Sequence, residues 1–284
     1  MKTVTTCSAL LILATLCGQA AAGVVAATGF NDASGIHSDA AANSPYALNS
    51  TISGQGAGEV GWLGTWAVLS GPIANATVQD EITKEGDGAL YLQRTTNTRR
   101  RWADPQSGVF VVEQHLRFTE NSRTVIYLFD GSLGGLPNGA QGPVWAAFPD
   151  GSVVVIDGTG DGCFSCPTED TGFDWTPDRW HKFTTIVDVP ENTYRFFMDD
   201  VEYLAPDPLG FRGTPSAIDA INYLAEVSGN GTYVDSIRVI PEPATSVLAC
   251  LAVVLSGCAW RARNGSRRHA GQHNKDPRLL SRPL

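Results

Sequence analysis

The stretch that decides the fold reads Trp180-His-Lys-Phe-Thr-Thr-Ile-Val-Asp188 and, after a turn at Pro190-Glu-Asn192, Thr193-Tyr-Arg-Phe-Phe-Met198. Aromatic and β-branched residues favour strands, while Pro, Asn and Asp favour turns. A further turn at Asp199-Asp200 leads into Val201–Tyr203. This succession of short strands and tight turns predicts antiparallel pairing.

Clear strand patterns also precede this stretch. Val109–Phe118 alternates apolar with polar residues, which predicts one buried face and one solvent-facing side. Thr124–Phe129 is apolar on both faces, so we expect a central strand. Val144–Phe148 and Ser152–Ile156 flank Pro149-Asp150-Gly151, which predicts a hairpin.

Helical periodicity is almost absent from the rest of the chain. Shorter strand signals recur at Val24–Phe30, Trp62–Leu69, Ala89–Arg94, Ala220–Val227 and Thr232–Ile240, with a long polar loop from Asn31 to Gly58. About a dozen strands without intervening helices predict an all-β protein, with two antiparallel sheets packed as a sandwich or jelly roll.

The order of these motifs resembles that of concanavalin A-like and laminin G-like jelly rolls. The resemblance lies in Trp180–Asp188 with Asn192–Asp200, in the opening Gly29-Phe-Asn-Asp32 and in the closing Gly231–Val239. Asp199-Asp200 stands where the family usually has a glycine. The resemblance implies two curved sheets over residues 23–240 and, in many members, a sugar-binding concave face.

The N-terminus has the layout of a secretory signal. Lys2 precedes the apolar run Leu10–Leu16, and Ala20-Ala-Ala22 provides small residues for cleavage before Gly23. Residues 1–22 are therefore predicted to be a signal peptide that does not belong to the fold.

The C-terminus has three ordered parts. Pro241-Glu242-Pro243 is followed by the uncharged run Ala244–Trp260 and then by an arginine cluster that begins at Arg261. The run is long enough for a short transmembrane helix, and the arginines place the body outside the membrane.

This layout resembles the PEP-CTERM sorting signal of exported bacterial proteins. The match covers residues 241–269, and residues 270–284 form a polar tail that is longer than usual in the family. The resemblance implies an exosortase-type partner that cuts near Pro243 and leaves the protein at the cell surface or in the extracellular matrix. The alternative is an ordinary membrane anchor that is never cut.

The predicted body is strongly acidic. Residues 23–240 contain 12 Lys and Arg against 27 Asp and Glu, a net charge of 12 − 27 = −15, whereas the whole chain carries −9. Such a body will not be drawn to nucleic acid, and calcium is a natural counter-ion for it.

Residues 157–166 combine two motifs. Asp157-Gly-Thr-Gly-Asp161-Gly resembles a small calcium loop in which Asp157 and Asp161 would be ligands, and a glycine-rich hairpin loop is the alternative. Cys163 and Cys166 are the two cysteines of the body, and in an exported protein they predict a disulfide.

Arg99-Arg100-Arg101-Trp102 is the basic cluster of this acidic body. Arg100 and Trp102 could bind an acidic polysaccharide, with the indole stacking on a sugar ring. An exposed loop whose arginines pair with nearby carboxylates is the alternative.

Paired carboxylates for glycoside cleavage are missing from the sequence. Relatives of the predicted fold that cut glycans carry two carboxylates spaced two apart on one strand. Asp200 with Glu202 has this spacing but lies at a turn, and Glu113 has only His115 and Arg117 as same-face partners. We therefore predict an exported, non-catalytic protein that binds glycan, with a carbohydrate-active enzyme as the alternative.

Overall fold

The computed structural model describes residues 24–30, 46–57, 59, 61–86, 88–133, 138–163, 166–226 and 231–241. The predicted signal peptide, Glu242, Pro243, the apolar segment 244–260 and the tail to residue 284 lie outside the described residues. Within the described residues, none of the helices is long and apolar enough to cross a membrane.

The described residues form seventeen β-strands and three short 3₁₀ turns. The strands are β1 (Ala26–Thr28), β2 (Ser50–Thr51), β3 (Trp62–Ser70), β4 (Ala76–Gln79), β5 (Ala89–Leu92), β6 (Thr96–Gln106), β7 (Val109–Phe118), β8 (Thr124–Phe129), β9 (Gln141–Ala147), β10 (Ser152–Ile156), β11 (Thr168–Asp174), β12 (Trp180–Asp188), β13 (Thr193–Met198), β14 (Val201–Glu202), β15 (Leu209–Gly210), β16 (Ile218–Ala225) and β17 (Thr232–Pro241). The 3₁₀ turns are Ile73–Asn75, Gly131–Leu133 and Asn138–Ala140.

The strands form two antiparallel sheets. The ten-stranded sheet has the order β14-β13-β12-β7-β17-β5-β4-β2, with β1 paired to β17 and β15 paired to β13. The seven-stranded sheet has the order β11-β10-β9-β8-β16-β6-β3. The prediction of an all-β sandwich is confirmed, and β8 occupies the middle of its sheet as its apolar sequence predicted.

The main core lies between the two sheets. Alternate residues of β7, including Phe110 and Leu116, are fully buried in it, as the period-two pattern predicted. Trp145 of the seven-stranded sheet stacks on Phe183 of the ten-stranded sheet, with ring centroids 4.4 Å apart. The Tyr223 hydroxyl donates a hydrogen bond across the core to Gln114 Oε1 at 2.6 Å. Apolar packing and satisfied polar groups thus hold the sheets together.

The predicted turns have the backbone conformations that their residues favour. Gly151, after Asp150 in the β9–β10 hairpin, has φ +96°. Asn192, Asp199 and Asp200 have φ values of 53°, 50° and 65°. Asn and Asp tolerate this left-handed region better than other non-glycine residues, which explains how Asp199-Asp200 replaces a glycine.

Several strands were not predicted. β4, β6 and β11 lie in segments whose polar or charged residues hide the strand pattern. The predicted loop 31–58 contains the short strand β2, while residues 31–45 lie outside the described residues. β17 continues to Pro241, so the sheet extends one residue into the segment assigned to the sorting signal.

Candidate functional site

The basic cluster lies on strand β6, where successive side chains point to opposite sides of the sheet. Arg100 is 1% exposed and Trp102 is fully buried, so both point into the core. This placement does not fit the predicted polysaccharide contact of Arg100 and Trp102, and it does not fit the exposed-loop alternative. The indole Nε1 of Trp102 donates to the Ile218 carbonyl at 3.1 Å.

Arg100 is neutralised inside the core. Its Nη1 lies 2.7 Å from Glu59 Oε2, and its Nη2 donates to the Gly56 carbonyl at 2.5 Å. The Tyr46 hydroxyl donates to the same carboxylate at 2.8 Å, and Thr28 Oγ1 donates to its other oxygen at 2.8 Å. Burial raises the pKa of Glu59, and the Arg100 charge opposes that shift. The network is structural, because a buried charge requires such partners.

The neighbouring arginines of β6 point outward. The Arg99 guanidinium lies over the Phe129 ring, 5.9 Å from its centroid. Arg101 Nε donates to Asp219 Oδ2 at 3.0 Å. The basic cluster therefore reaches the surface through Arg99 and Arg101, on the outer side of the seven-stranded sheet.

We call this outer side the seven-stranded face. The strand register aligns one row of its side chains across four neighbouring strands: Arg99 on β6, Asn222 on β16, Tyr127 on β8 and Val144 on β9. A second apolar cluster, separate from the main core, lies on the same face. It contains Val125, Val144 and Ala146, with Tyr127, Phe148, Val154, Ile156 and Leu224 packed against them.

A groove of about 320 Å³ runs over this apolar cluster. Its lining residues are Arg123, Val125, Tyr127, Ala146, Phe148, Val154, Ile156, Cys166, Thr168, Arg212 and Glu226. Aliphatic side chains form the floor, two aromatic rings lie beside them, and charged groups form the rim. This combination suits a ligand that has both apolar faces and hydroxyl groups.

Charged groups act on the groove from its rim. Arg123 Nε lies 2.8 Å from Glu226 Oε2, and the Arg123 guanidinium lies over the Phe148 ring at 4.8 Å. Burial and the Glu226 charge raise the pKa of Tyr127, while Arg212 and Arg123 oppose this shift. The Tyr127 hydroxyl therefore stays protonated at neutral pH and can donate to a ligand oxygen.

The loop that begins at Asp157 lies beside this groove. Asp157 Oδ1 accepts a hydrogen bond from the Gly210 amide at 2.8 Å, and Asp161 is exposed. Among the described residues, no group of three or more His, Cys, Asp or Glu side chains could hold a metal ion. Cys163 and Cys166 are joined in a disulfide, and Cys166 lines the groove.

The carboxylates considered for catalysis lie in the other sheet. Lys182 Nζ binds Glu113 Oε1 at 2.8 Å and Asp200 Oδ1 at 3.1 Å. Arg195 binds both oxygens of Glu202, at 2.6 and 2.8 Å. Burial lowers the pKa of His115, and the positive charge of Lys84 lowers it further. The carboxylates of Glu113, Asp200 and Glu202 are thus engaged in ion pairs on strands that do not border the groove.

A larger pocket of about 530 Å³ lies on the ten-stranded sheet beside the segment 203–209. Its lining includes Val109, Ile186 and the ion-paired Arg195 and Glu202. Tyr203, an aromatic residue in its lining, donates its hydroxyl to Glu169 at 2.8 Å. We favour the groove as the candidate site because both tyrosines of the larger pocket already donate their hydroxyls to protein groups, Tyr194 to the Ile156 carbonyl at 2.7 Å and Tyr203 to Glu169.

Sequence reasoning missed the residues of the groove. Tyr127 carried the one available signal, because it places a hydroxyl inside the apolar run 125–129. Arg123, Phe148 and Arg212 come from three separate loops, and only the folded structure brings them together.

Comparisons with known proteins identify the fold. No protein family and no curated protein matches the sequence. Among solved structures, an endo-acting O-glycanase structure from the human gut microbiota is 12% identical, with 77% of this chain and 99% of that chain covered and a TM-score of 0.51. The metal-free carbohydrate recognition domain of Emp46p is 15% identical, covering 59% of this chain and 88% of that chain at a TM-score of 0.42.

A sialidase structure is also similar over part of its length. It is 12% identical, with 62% of this chain covered and a TM-score of 0.46, and the chain spans only 17% of the sialidase. Identities this low indicate a shared fold alone. With its TM-score of 0.51, the O-glycanase structure shares the β-sandwich fold of this chain.

Proposed function

We propose that this protein is an exported, non-catalytic, lectin-like domain that binds a glycan in the groove of the seven-stranded face. The observation that carries the proposal is the second apolar cluster, which lies on the outside of a sheet instead of between the sheets. Tyr127 and Phe148 supply rings beside it, and polar side chains surround it. Saccharides present apolar ring faces edged by hydroxyl groups, so this surface complements them.

The acidic groups of the groove support the proposal of binding without cleavage. Among its lining residues that the structure describes, Glu226 is the one carboxylate, and it is paired with Arg123. Glycoside hydrolysis commonly requires two carboxylates on either side of the bond that breaks. Incubating the full-length protein with the glycan that it binds should therefore release no reducing sugar. Sustained release at catalytic concentrations of protein would favour the enzyme alternative.

Delivery to the surface is the second part of the proposal. It rests on the predicted signal peptide, residues 1–22, and on Pro241-Glu242-Pro243 with the apolar run and arginines that follow. An exosortase-type enzyme would remove or exchange the tail. Mass spectrometry of the mature protein should find nothing after Pro243, whereas an intact tail on the exported protein would support the uncut membrane anchor.

Glycan binding is tested on an array of polysaccharides with the full-length protein and two variants. Tyr127→Ala should weaken binding about fivefold, since aromatic contacts are worth on the order of 1 kcal/mol. Tyr91→Ala is the matched control, because Tyr91 stacks on Tyr233 in the ten-stranded sheet, outside the groove. Equal affinities of all three proteins would contradict the proposal, provided that thermal melting shows them folded.

A further inference from the structure

We propose that the larger pocket, on the ten-stranded sheet, is a docking site for a basic peptide segment of a partner protein, with Asp188 and Asp207 binding its cationic side chains. We call it the edge pocket, because the segment 203–209 that borders it follows the edge strand β14. It lies apart from the groove of the proposed function, and its occupant is not a glycan. Three features support the docking site: its hydrogen-bonding groups, its charge and its apolar rim.

The hydroxyl groups of the edge pocket are already used inside the protein. Tyr194 donates to the Ile156 carbonyl at 2.7 Å, and Tyr203 donates to Glu169 Oε2 at 2.8 Å. A ligand rich in hydroxyl oxygens therefore finds few donors here. The remaining carboxylates are acceptors, so they suit a ligand that donates, as ammonium and guanidinium groups do.

The edge pocket carries negative charge. Its lining holds the three carboxylates of Asp188, Glu202 and Asp207 against the one guanidinium of Arg195. Arg195 binds both oxygens of Glu202, whereas neither Asp188 nor Asp207 forms an ion pair among the described residues. Residues 23–240 hold 12 basic against 27 acidic residues, so the field of the whole body has the same sign. Local and long-range charge therefore both attract a cation to this pocket.

An apolar surface continues from the edge pocket onto its rim. Val109 and Ile186 contribute from the sheet, and Leu204 contributes from the segment 203–209. Leu204 is 81% exposed, and Val201 in the neighbouring strand β14 is 58% exposed. Adjacent exposed apolar side chains are typical of protein-binding surfaces. A small cation would leave them uncovered, whereas a peptide with Lys or Arg beside apolar residues covers them and lays the aliphatic stems along the lining.

The first test uses the unaltered, full-length protein and two synthetic peptides. One is acetyl-Ala-Leu-Arg-Leu-Arg-Ala-amide, and the other has citrulline in place of both arginines, which keeps the shape and removes the charge. We expect the arginine peptide to bind at least about tenfold more tightly at low salt and to lose this advantage as salt is added. Equal binding of the two peptides, or binding of neither, would overturn the inference. Equally tight binding of spermine would overturn it in favour of a small cation.

The second test separates the edge pocket from the diffuse charge of the body. The double variant Asp188→Asn with Asp207→Asn should remove most of the preference for the arginine peptide. Asparagine keeps the oxygen that accepts from the Glu191 amide at 3.2 Å, so the fold is preserved. The matched control, Asp161→Asn with Asp174→Asn, removes the same charge from two exposed residues outside the lining and should change binding less than about twofold. Equal losses in both double variants would overturn the inference in favour of diffuse attraction.

The third test concerns the apolar rim. Leu204→Asn should weaken binding of both peptides by at least about threefold, because their leucines lose an apolar contact. Leu133→Asn is the matched control, since Leu133 is 60% exposed and lies outside the lining. Unchanged binding in Leu204→Asn would overturn the role of the rim and with it the peptide as occupant. Failure of any of these tests leaves glycan binding in the groove untouched, because the edge pocket shares no lining residue with it.

Discussion

The guanidinium of Arg100 lies 2.7 Å from the carboxylate of Glu59, and both side chains are buried between the sheets. This ion pair explains why an arginine can occupy the inner side of β6. Its neighbour Arg99 lies over Phe129 on the seven-stranded face. The same sequence cluster therefore contributes to the core with one residue and to the surface with the next.

The two arginines should differ sharply in their effect on stability. Arg100→Met leaves the Glu59 carboxylate buried without its cation, which we expect to lower the free energy of unfolding by about 3–5 kcal/mol. Arg99→Met, one residue away on the outward side, is the matched control and should change it by less than about 1 kcal/mol. Urea unfolding of the three proteins measures both values. Equal losses in the two variants would contradict the assignment of inner and outer sides on β6.

Gly158 tests the close approach of two backbones beside the groove. Gly158→Ala places a Cβ 2.2 Å from the Phe211 oxygen, so we expect overpacking to lower the free energy of unfolding by about 1–3 kcal/mol. Gly108→Ala is the control, because a Cβ there meets nothing within 4 Å. Thermal melting of both variants provides the comparison. If Gly158→Ala melts at the same temperature as Gly108→Ala, the close approach of the Gly158 and Phe211 backbones would be refuted.

Asp235 makes stability depend on pH near neutrality. Its carboxylate accepts hydrogen bonds from the amides of Lys84, Glu85 and Ser236, yet burial raises its pKa to about 7. Between about pH 4 and 7 the folded state holds a proton that the unfolded state has released. Its contribution therefore makes the free energy of unfolding fall as pH rises, by at most ~1.4 kcal/mol per pH unit.

Asp235→Asn removes this titration and should flatten the profile. Urea midpoints of both proteins from pH 4 to 8 isolate the effect, because other groups such as His115 titrate in both. A difference between the two profiles that stays constant across this range would show that Asp235 does not titrate there.

The Asp199-Asp200 turn offers a paired test of backbone conformation. Asp200 is largely exposed at φ 65°, so Asp200→Gly should raise the free energy of unfolding by up to about 1 kcal/mol. Asp199 has φ 50° but accepts hydrogen bonds from the Lys182 amide at 2.9 Å and from His181 Nδ1 at 2.8 Å. Asp199→Gly should therefore lower the free energy of unfolding by about 1–3 kcal/mol. Urea unfolding compares the two variants, and a change of the same sign in both would contradict this division of roles.

Much of the fold could be predicted because period-two patterns are local. The alternation of residue types predicts which side is buried in the strands Val109–Phe118 and Trp180–Asp188. Pro, Asn and Asp mark the turns beside these strands. β6 could not be predicted in this way. Its inward residues include Thr96, Thr98 and Arg100, and their burial depends on partners such as Glu59 that are distant in sequence.

Local sequence patterns could not predict the candidate site, because its residues are distant from one another in the sequence. Tyr127, Phe148 and Arg212 meet only because two hairpins and a glycine-rich loop fold onto one side of a sheet. Arg99 and Arg101, which flank the residue that we had expected to bind ligand, lie on the same outer side as the groove but do not line it. Which of two alternating residues faces solvent depends on the sheet that the strand joins.

The most direct test of the central claim is methyl NMR of the full-length protein during titration with a glycan that it binds. The account predicts shift changes at the methyl groups of Val125, Val154 and Ile156 in the groove, with none at Val111 and Ile186 on the ten-stranded sheet. Changes confined to Val111 and Ile186 would contradict binding at the seven-stranded face.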